Sequence, residues 1–176
     1  MNENSFQRVR LFAVKLAKMI SQPDLNLVYF DEAGFNLWMR NRKTWGMQGC
    51  PVKMLLNKVR GKGVTVFGAI GVLMPKPLFI MERTTKSHHF QRFLRRLRKM
   101  FADDERPIHL VLDNHRAHHT LQAKAYAVKK NIQFHFMPPY SPELNAIEPL
   151  WSVLKRDFKQ RMLDHRAYRV EEHFFR

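Results

Sequence analysis

The sequence predicts an α/β fold, a mixed five-stranded central sheet flanked by helices, and three observations support it. Apolar runs too short for helices recur along the chain, each bounded by turn residues. They follow the order three strands, helix, strand, helix, strand, helix. Strands separated by a helix are normally parallel and joined by right-handed crossovers, so helices should cover both faces of a sheet that begins as an antiparallel meander.

Each element has a local reason. Residues 5–20 place Phe6, Val9, Ala13, Leu16 and Ile20 at three- and four-residue intervals, an amphipathic helix ending before Pro23. Residues 1–24 thus read as an N-terminal helix and linker, 25–162 as the main domain and 163–176 as a loose tail. Residues 25–30 are a buried strand expected to end at Asp31 and Glu32, with Gly34 as its breaker. Strand-like pieces at 35–39, 43–45 and 64–70 are separated by glycines and a basic loop, and 77–81 adds a short strand.

Ser87 is a candidate N-cap for a helix with Phe90, Phe93, Leu94, Leu97 and Phe101 inward and Arg92, Arg95, Arg96, Arg98 and Lys99 outward. Residues 108–112 form a strand that ends on Asp113, 119–130 a helix, and 132–137 the last strand. Pro138, Pro139, Ser141 and Pro142 then turn the chain. Pro149 disfavours helical geometry at Glu148 and has no N–H to donate, which places Glu148 in the first turn of the next helix. Leu150, Trp151, Leu154 and Phe158 give that helix its buried stripe.

The composition narrows the partners. In 176 residues, 31 Lys and Arg stand against 15 Asp and Glu, a net charge of +16, which points to a polyanion and above all to nucleic acid. No acidic residue occurs from position 33 to 81, while Arg40, Arg42 and Lys43 are interleaved there with Trp38 and Trp45. Cations alternating with aromatics suit phosphate contacts combined with stacking. One cysteine, Cys50, excludes an internal disulfide or a cysteine-based zinc cluster and fits a reducing cytosol. Arg10, Lys15 and Lys18 interrupt the N-terminal apolar positions, so no signal peptide is expected, and no run is long enough for a membrane span.

Asp31 and Asp113 sit at the carboxyl ends of strands, and Glu148 enters from the helix after the last strand. In such sheets the strand-end loops open onto one crevice. Three bare carboxylates brought together would repel and titrate upward, so the arrangement makes sense around hard cations. All-oxygen ligands suit Mg²⁺ or Mn²⁺, and a pair of such ions supports in-line displacement at a phosphodiester. Glu32 ranks behind Asp31 because side chains alternate along a strand.

The wording around these acids is specific. Phe30-Asp31-Glu32-Ala-Gly-Phe35, Val111-Leu112-Asp113-Asn114-His115 and Tyr140-Ser-Pro-Glu-Leu-Asn-Ala-Ile-Glu-Pro-Leu-Trp151 together resemble the DDE transposases of the mariner-like superfamily, in particular the bacterial insertion-sequence branch. Thirty-four residues separate Asp113 from Glu148, the interval typical of that branch.

The resemblance implies a ribonuclease-H-like fold and makes Asp31, Asp113 and Glu148 the metal-binding catalytic triad, with Mg²⁺ or Mn²⁺, two ions, as cofactor. It implies cleavage at the ends of a mobile element and transfer into target DNA, commonly at TA. Lys155 and Lys159, along the helix from Glu148, are expected to contact DNA, as are Arg40, Arg42, Lys43 and Trp45. Asn114, His115 and His118 are expected beside the metal site or the DNA rather than as ligands.

Family members usually carry helix-turn-helix modules ahead of this domain, and only about 24 residues precede the first strand here. A separate helix-turn-helix protein or domain is therefore an expected partner, together with a second copy of the chain on DNA. The expected location is the bacterial cytoplasm, at the nucleoid. Two other readings stay open at this stage: a catalytically silent DNA-binding remnant, and a nuclease acting on RNA–DNA hybrids.

Overall fold

The computed structural model describes residues 3–36, 48, 49 and 63–174. Its elements run α1 (Glu3–Ile20), β1 (Asn26–Phe35), β2 (Val64–Gly71), β3 (Leu78–Glu82), α2 (Ser87–Met100), β4 (Ile108–Leu112), α3 (Leu121–Lys129), β5 (Ile132–Phe136) and α4 (Glu148–Phe174), with 3-10 turns at Arg116–His119 and Pro142–Leu144. The strand order is β3-β2-β1-β4-β5. β1, β2 and β3 are antiparallel neighbours, and β4 and β5 extend the sheet in parallel. This is the expected mixed five-stranded sheet. No described helix is long and apolar enough to cross a membrane.

Strand alternation divides the core in two. Val28 and Phe30 on β1, Phe67 and Ala69 on β2, and Leu110 and Leu112 on β4 join Phe90, Phe93, Leu94 and Leu97 of α2 and Ala123 and Ala127 of α3. On the opposite face Leu27, Tyr29 and Ala33 of β1 and Val111 of β4 meet Leu16 and Met19 of α1 and Trp151 of α4. Helices therefore cover both faces. Leu16 and Met19 give α1 a place in the core, which is more than a linker provides.

Four local expectations need correction. β1 does not end at Asp31 and is not broken at Gly34. It continues to Phe35 because β2 pairs with it from Val28 to Phe35, with Gly34 opposite Thr65. Ser87 is the first residue of α2 and not its cap. Lys86 holds the cap position without a side-chain bond, and the Ser87 hydroxyl lies 3.0 Å from that of Thr120, the residue that caps α3.

Two outward arginines of α2 are also tied down. Arg92 pairs with Glu82 of β3 at 3.1 Å, and Arg98 donates to the carbonyls of Phe101, Asp104 and Arg106, closing the end of its helix. Last, the backbone expected to loosen from residue 163 is helical through Phe174. Residues 161–174 contain neither glycine nor proline, so nothing local stops the helix.

One contact fixes where α4 rests. Gly68 of β2 pairs with Asp31 of β1, and a Cβ at Gly68 would lie 2.5 Å from two ring atoms of Trp151 and 3.0 Å from Ile147 Cδ1. Trp151 is 1% exposed, and Phe79 and Phe35 flank its ring at centroid distances of 5.8 and 6.4 Å. The indole occupies the space that any other residue at position 68 would fill. Gly68→Ala is expected to cost about 1–3 kcal/mol by overpacking, which is roughly 2–4 °C of melting temperature per kcal/mol in a chain of this size. Combined with Trp151→Phe, which removes the clashing ring atoms, the losses should be less than additive in thermal melts; strict additivity would show that the two positions do not share this contact.

Candidate active site

β1 and β4 lie parallel, and their last paired residues are Tyr29 and Val111. Asp31 and Asp113 are each two residues further on, so they stand side by side just beyond the parallel ladder. Alternation turns both toward the face covered by α1 and α4. Asp31 is thus at the edge of the parallel half of the sheet although its own strand continues. Glu148 is the first residue of α4, and its amide donates to the carbonyl of Asn145 at 3.1 Å. The three carboxylates line one cleft of about 350 Å³, together with Met137, Pro138, Pro139, Tyr140 and Pro142.

The two aspartates are driven in opposite directions. Burial pushes the Asp31 carboxyl up to about 7, and the charges of Glu148, Glu32 and Asp113 add to this, against a backbone hydrogen bond at Glu32. Asp113 is held below the usual carboxylate range, chiefly by His118, with the His115 amide donating to its Oδ1 at 3.0 Å as a further cause.

His118 sits on the 3-10 turn after β4 and is fully buried, its ring 4.3 Å from that of Phe90 and 5.4 Å from that of Phe30 by centroids. Its Nε2 lies 3.3 Å from Asp113 Oδ1 and 3.5 Å from Glu32 Oε2. Those distances are long for hydrogen bonds, and they set the ring between two carboxylates. Burial alone lowers the pKa of such a ring, but the contacts with Asp113 and Glu32 lift it to about 8. Glu32 points to the α2 face, opposite to Asp31, as strand alternation requires. It is a partner of His118, not a member of the acid cleft.

Asn114 and His115 both line the cleft. The Asn114 side chain donates to the Met137 carbonyl and ties the end of β4 to the end of β5. Glu32, His115 and His118 have ligand atoms within 4.8 Å of one another, whereas among the described residues Asp31, Asp113 and Glu148 do not form so tight a set. Lys155 and Lys159 are half-buried on α4 and are not among the cleft residues. Arg40, Arg42, Lys43 and Trp45, with most of the expected strands 35–39 and 43–45, lie outside the described residues.

Asn145 belongs to the site although the sequence does not single it out. It is 3% exposed, lines the cleft and donates its side-chain amide to the Phe30 carbonyl at 3.1 Å, pinning the approach to α4 against β1 one residue before Asp31. The only local signal is an asparagine shortly before a helix start, which reads equally well as a cap.

A family described as DDE superfamily endonuclease matches residues 26–167. No curated protein matches the chain in sequence. Among solved structures, the Mos1 strand transfer complex is similar with a TM-score of 0.71 and 16% identity over 90% of this chain and 49% of that one. A Mos1 mariner paired end complex with Mn gives 0.69 and 15% over 90% and 50%. The Mos1 transposase catalytic domain with Raltegravir and Mg gives 0.65 and 13% over 97% and 83%. At these identities the likeness concerns the fold, and this chain spans about half the length of the transposases in those complexes.

The shared imidazolium has a pH signature. Its folded pKa of about 8 exceeds the ordinary 6.5, so its contribution to stability is complete below pH 6.5 and is lost as pH rises through 8. The loss should be on the order of 2 kcal/mol. Melting curves in metal-free buffer between pH 6.5 and 9 should show the decline in the native chain and a flatter profile for His118→Gln. Parallel profiles would exclude a charged His118.

Proposed function

Because the chain belongs to the DDE superfamily endonucleases, we propose that it is the catalytic domain of a transposase of the bacterial insertion-sequence kind, cutting DNA at the ends of a mobile element and joining those ends to target DNA. Its fold is the ribonuclease-H-like one. The observation that carries the reading is the meeting of Asp31, Asp113 and Glu148, from three separate elements, along one cleft at the edge of the parallel strands.

The donor set fits hard divalent cations. It is made of carboxylate oxygens with no sulfur, and Asp31 is driven toward protonation by burial and by its acidic neighbours, a cost that positive charge in the cleft removes. Asp31, Asp113 and Glu148 would hold Mg²⁺ or Mn²⁺, as two ions. When bound, such ions supply Lewis acidity that activates a water or a 3′-hydroxyl and stabilises the leaving oxygen of an in-line displacement.

The chain's own residues prepare that chemistry. The sheet register sets the spacing of the two aspartates, and the Trp151 contact sets the depth of Glu148. His118 and the His115 amide both engage Oδ1 of Asp113, which keeps the carboxylate ionised and leaves Oδ2 for a ligand in the cleft. DNA is the proposed partner, in keeping with the net charge of +16. Lys155, Lys159, Arg40, Arg42, Lys43 and Trp45 are proposed to contact it, within a dimer and with help from a helix-turn-helix module.

The test is metal-dependent cleavage of DNA by the native chain and its variants. With Mg²⁺ or Mn²⁺ and element-end or supercoiled DNA, Asp31→Asn and Glu148→Gln should each lower cleavage by on the order of a hundred-fold or more, since even outer partners of metal ligands cost 10- to 100-fold. Asp31→Asn should also raise the melting temperature in metal-free buffer at pH 8. A carboxyl whose pKa is raised to about 7 in the fold from 3.8 loses stability as pH rises between those values, and a neutral amide does not. Native-level cleavage in either variant would sink the assignment. Salt-sensitive DNA binding with no cleavage by the native chain would leave a silent DNA-binding domain in its place.

A further inference from the structure

Tyr140 stands out on two independent counts. The residue is 99% exposed, and its backbone is left-handed, with φ at 58° in a residue that is not glycine. Left-handed backbone is a strain that a side-chain-bearing residue tolerates only with some return. A ring open to solvent finds no return inside the fold. The position is also specific, because Tyr140 lines the same cleft as the three carboxylates, together with Met137, Pro138, Pro139 and Pro142.

The cleft therefore combines two chemistries, anionic oxygens and apolar, partly aromatic groups. A nucleotide combines the same two. With its phosphate at the carboxylates, where the proposed cations would sit, its base has prolines and a tyrosine of the same cleft to rest on. A base inside a duplex has both faces covered by its neighbours, so only an unpaired or extruded base has a face to offer Tyr140.

We propose that Tyr140 is the stacking platform for one unpaired nucleobase beside the scissile phosphate, held out on a strained turn for that purpose. The proposal rests on the nuclease reading above. It adds a requirement for local unpairing of the DNA at the site of cleavage.

The test uses the full chain in Ca²⁺ buffer, with a DNA hairpin that carries a short 3′ single strand. 2-Aminopurine is placed at the first unpaired position, or, in a control, within the duplex. The native chain and Tyr140→Phe should quench the unpaired probe and not the paired one. Tyr140→Ala should abolish the quench and weaken binding to the overhang on the order of ten-fold, with affinity for a blunt duplex of the same length unchanged. Tyr140→Gly should lose the quench equally while melting at a higher temperature, since glycine accepts positive φ without strain, which separates the effect from misfolding. Undiminished quenching and affinity in Tyr140→Ala would overturn the proposal and leave the nuclease reading intact. Binding of the overhang by the native chain with no quench of the unpaired probe would overturn it as well.

Discussion

The indole of Trp151 fills a place on β2 where no side chain exists, and the rest of the site depends on that fit. Gly68 is paired with Asp31, so the ring rests on the sheet beside the first carboxylate, and Glu148 is three residues back along the same helix. A buried tryptophan removes some 150–250 Å² from water, worth several kcal/mol at ~25 cal/mol per Å². Asn145 supplies direction where the ring supplies energy, because its amide donates to the Phe30 carbonyl. Helix position is thus set by packing and confirmed by one hydrogen bond, both within two residues of Asp31.

Opposite treatment of two aspartates on adjacent strands gives the cleft its character. Asp31 is pushed toward its neutral form by burial and by neighbouring charge, while the contact with buried His118 holds Asp113 below the usual carboxylate range. The difference comes from the two faces of one sheet. Glu32 points through to the α2 side and, with Phe30 and Phe90, builds the pocket in which His118 keeps its proton. The acidic pair Asp31 and Glu32 therefore serves both faces, one carboxylate for the cleft and one for the ring that steadies Asp113.

The number, order and type of elements were legible because each strand is a short apolar run between turn residues and each helix has a clear stripe. The acids were legible from their places at strand ends and from the words around them. What stayed hidden is non-local. Gly34 looks like a breaker until β2, some thirty residues later, pairs across it. Gly68 looks like an ordinary strand glycine until Trp151 arrives from the far end of the chain. His118 lies in a run of arginine and histidines that reads as solvent-facing, and only the aromatic residues of α2 and β1 make it a buried ion. The left-handed backbone at Tyr140 has no glycine or asparagine to announce it.

The pairing of β1 with β4 joins positions 28 and 110, and α4 docks onto both from later still. Chain emerges from a ribosome at roughly 5–20 residues per second, so the sheet edge carrying Asp31 waits for several seconds before its neighbours exist. Long-range pairings of this kind form slowly, because the entropy of closing the intervening loop is lost before any contact compensates it. Glu148 comes last of the three acids, on the helix whose docking needs the Gly68 shelf already built. A chain cut short before α4, however well its strands assemble, carries two of the acids without the third.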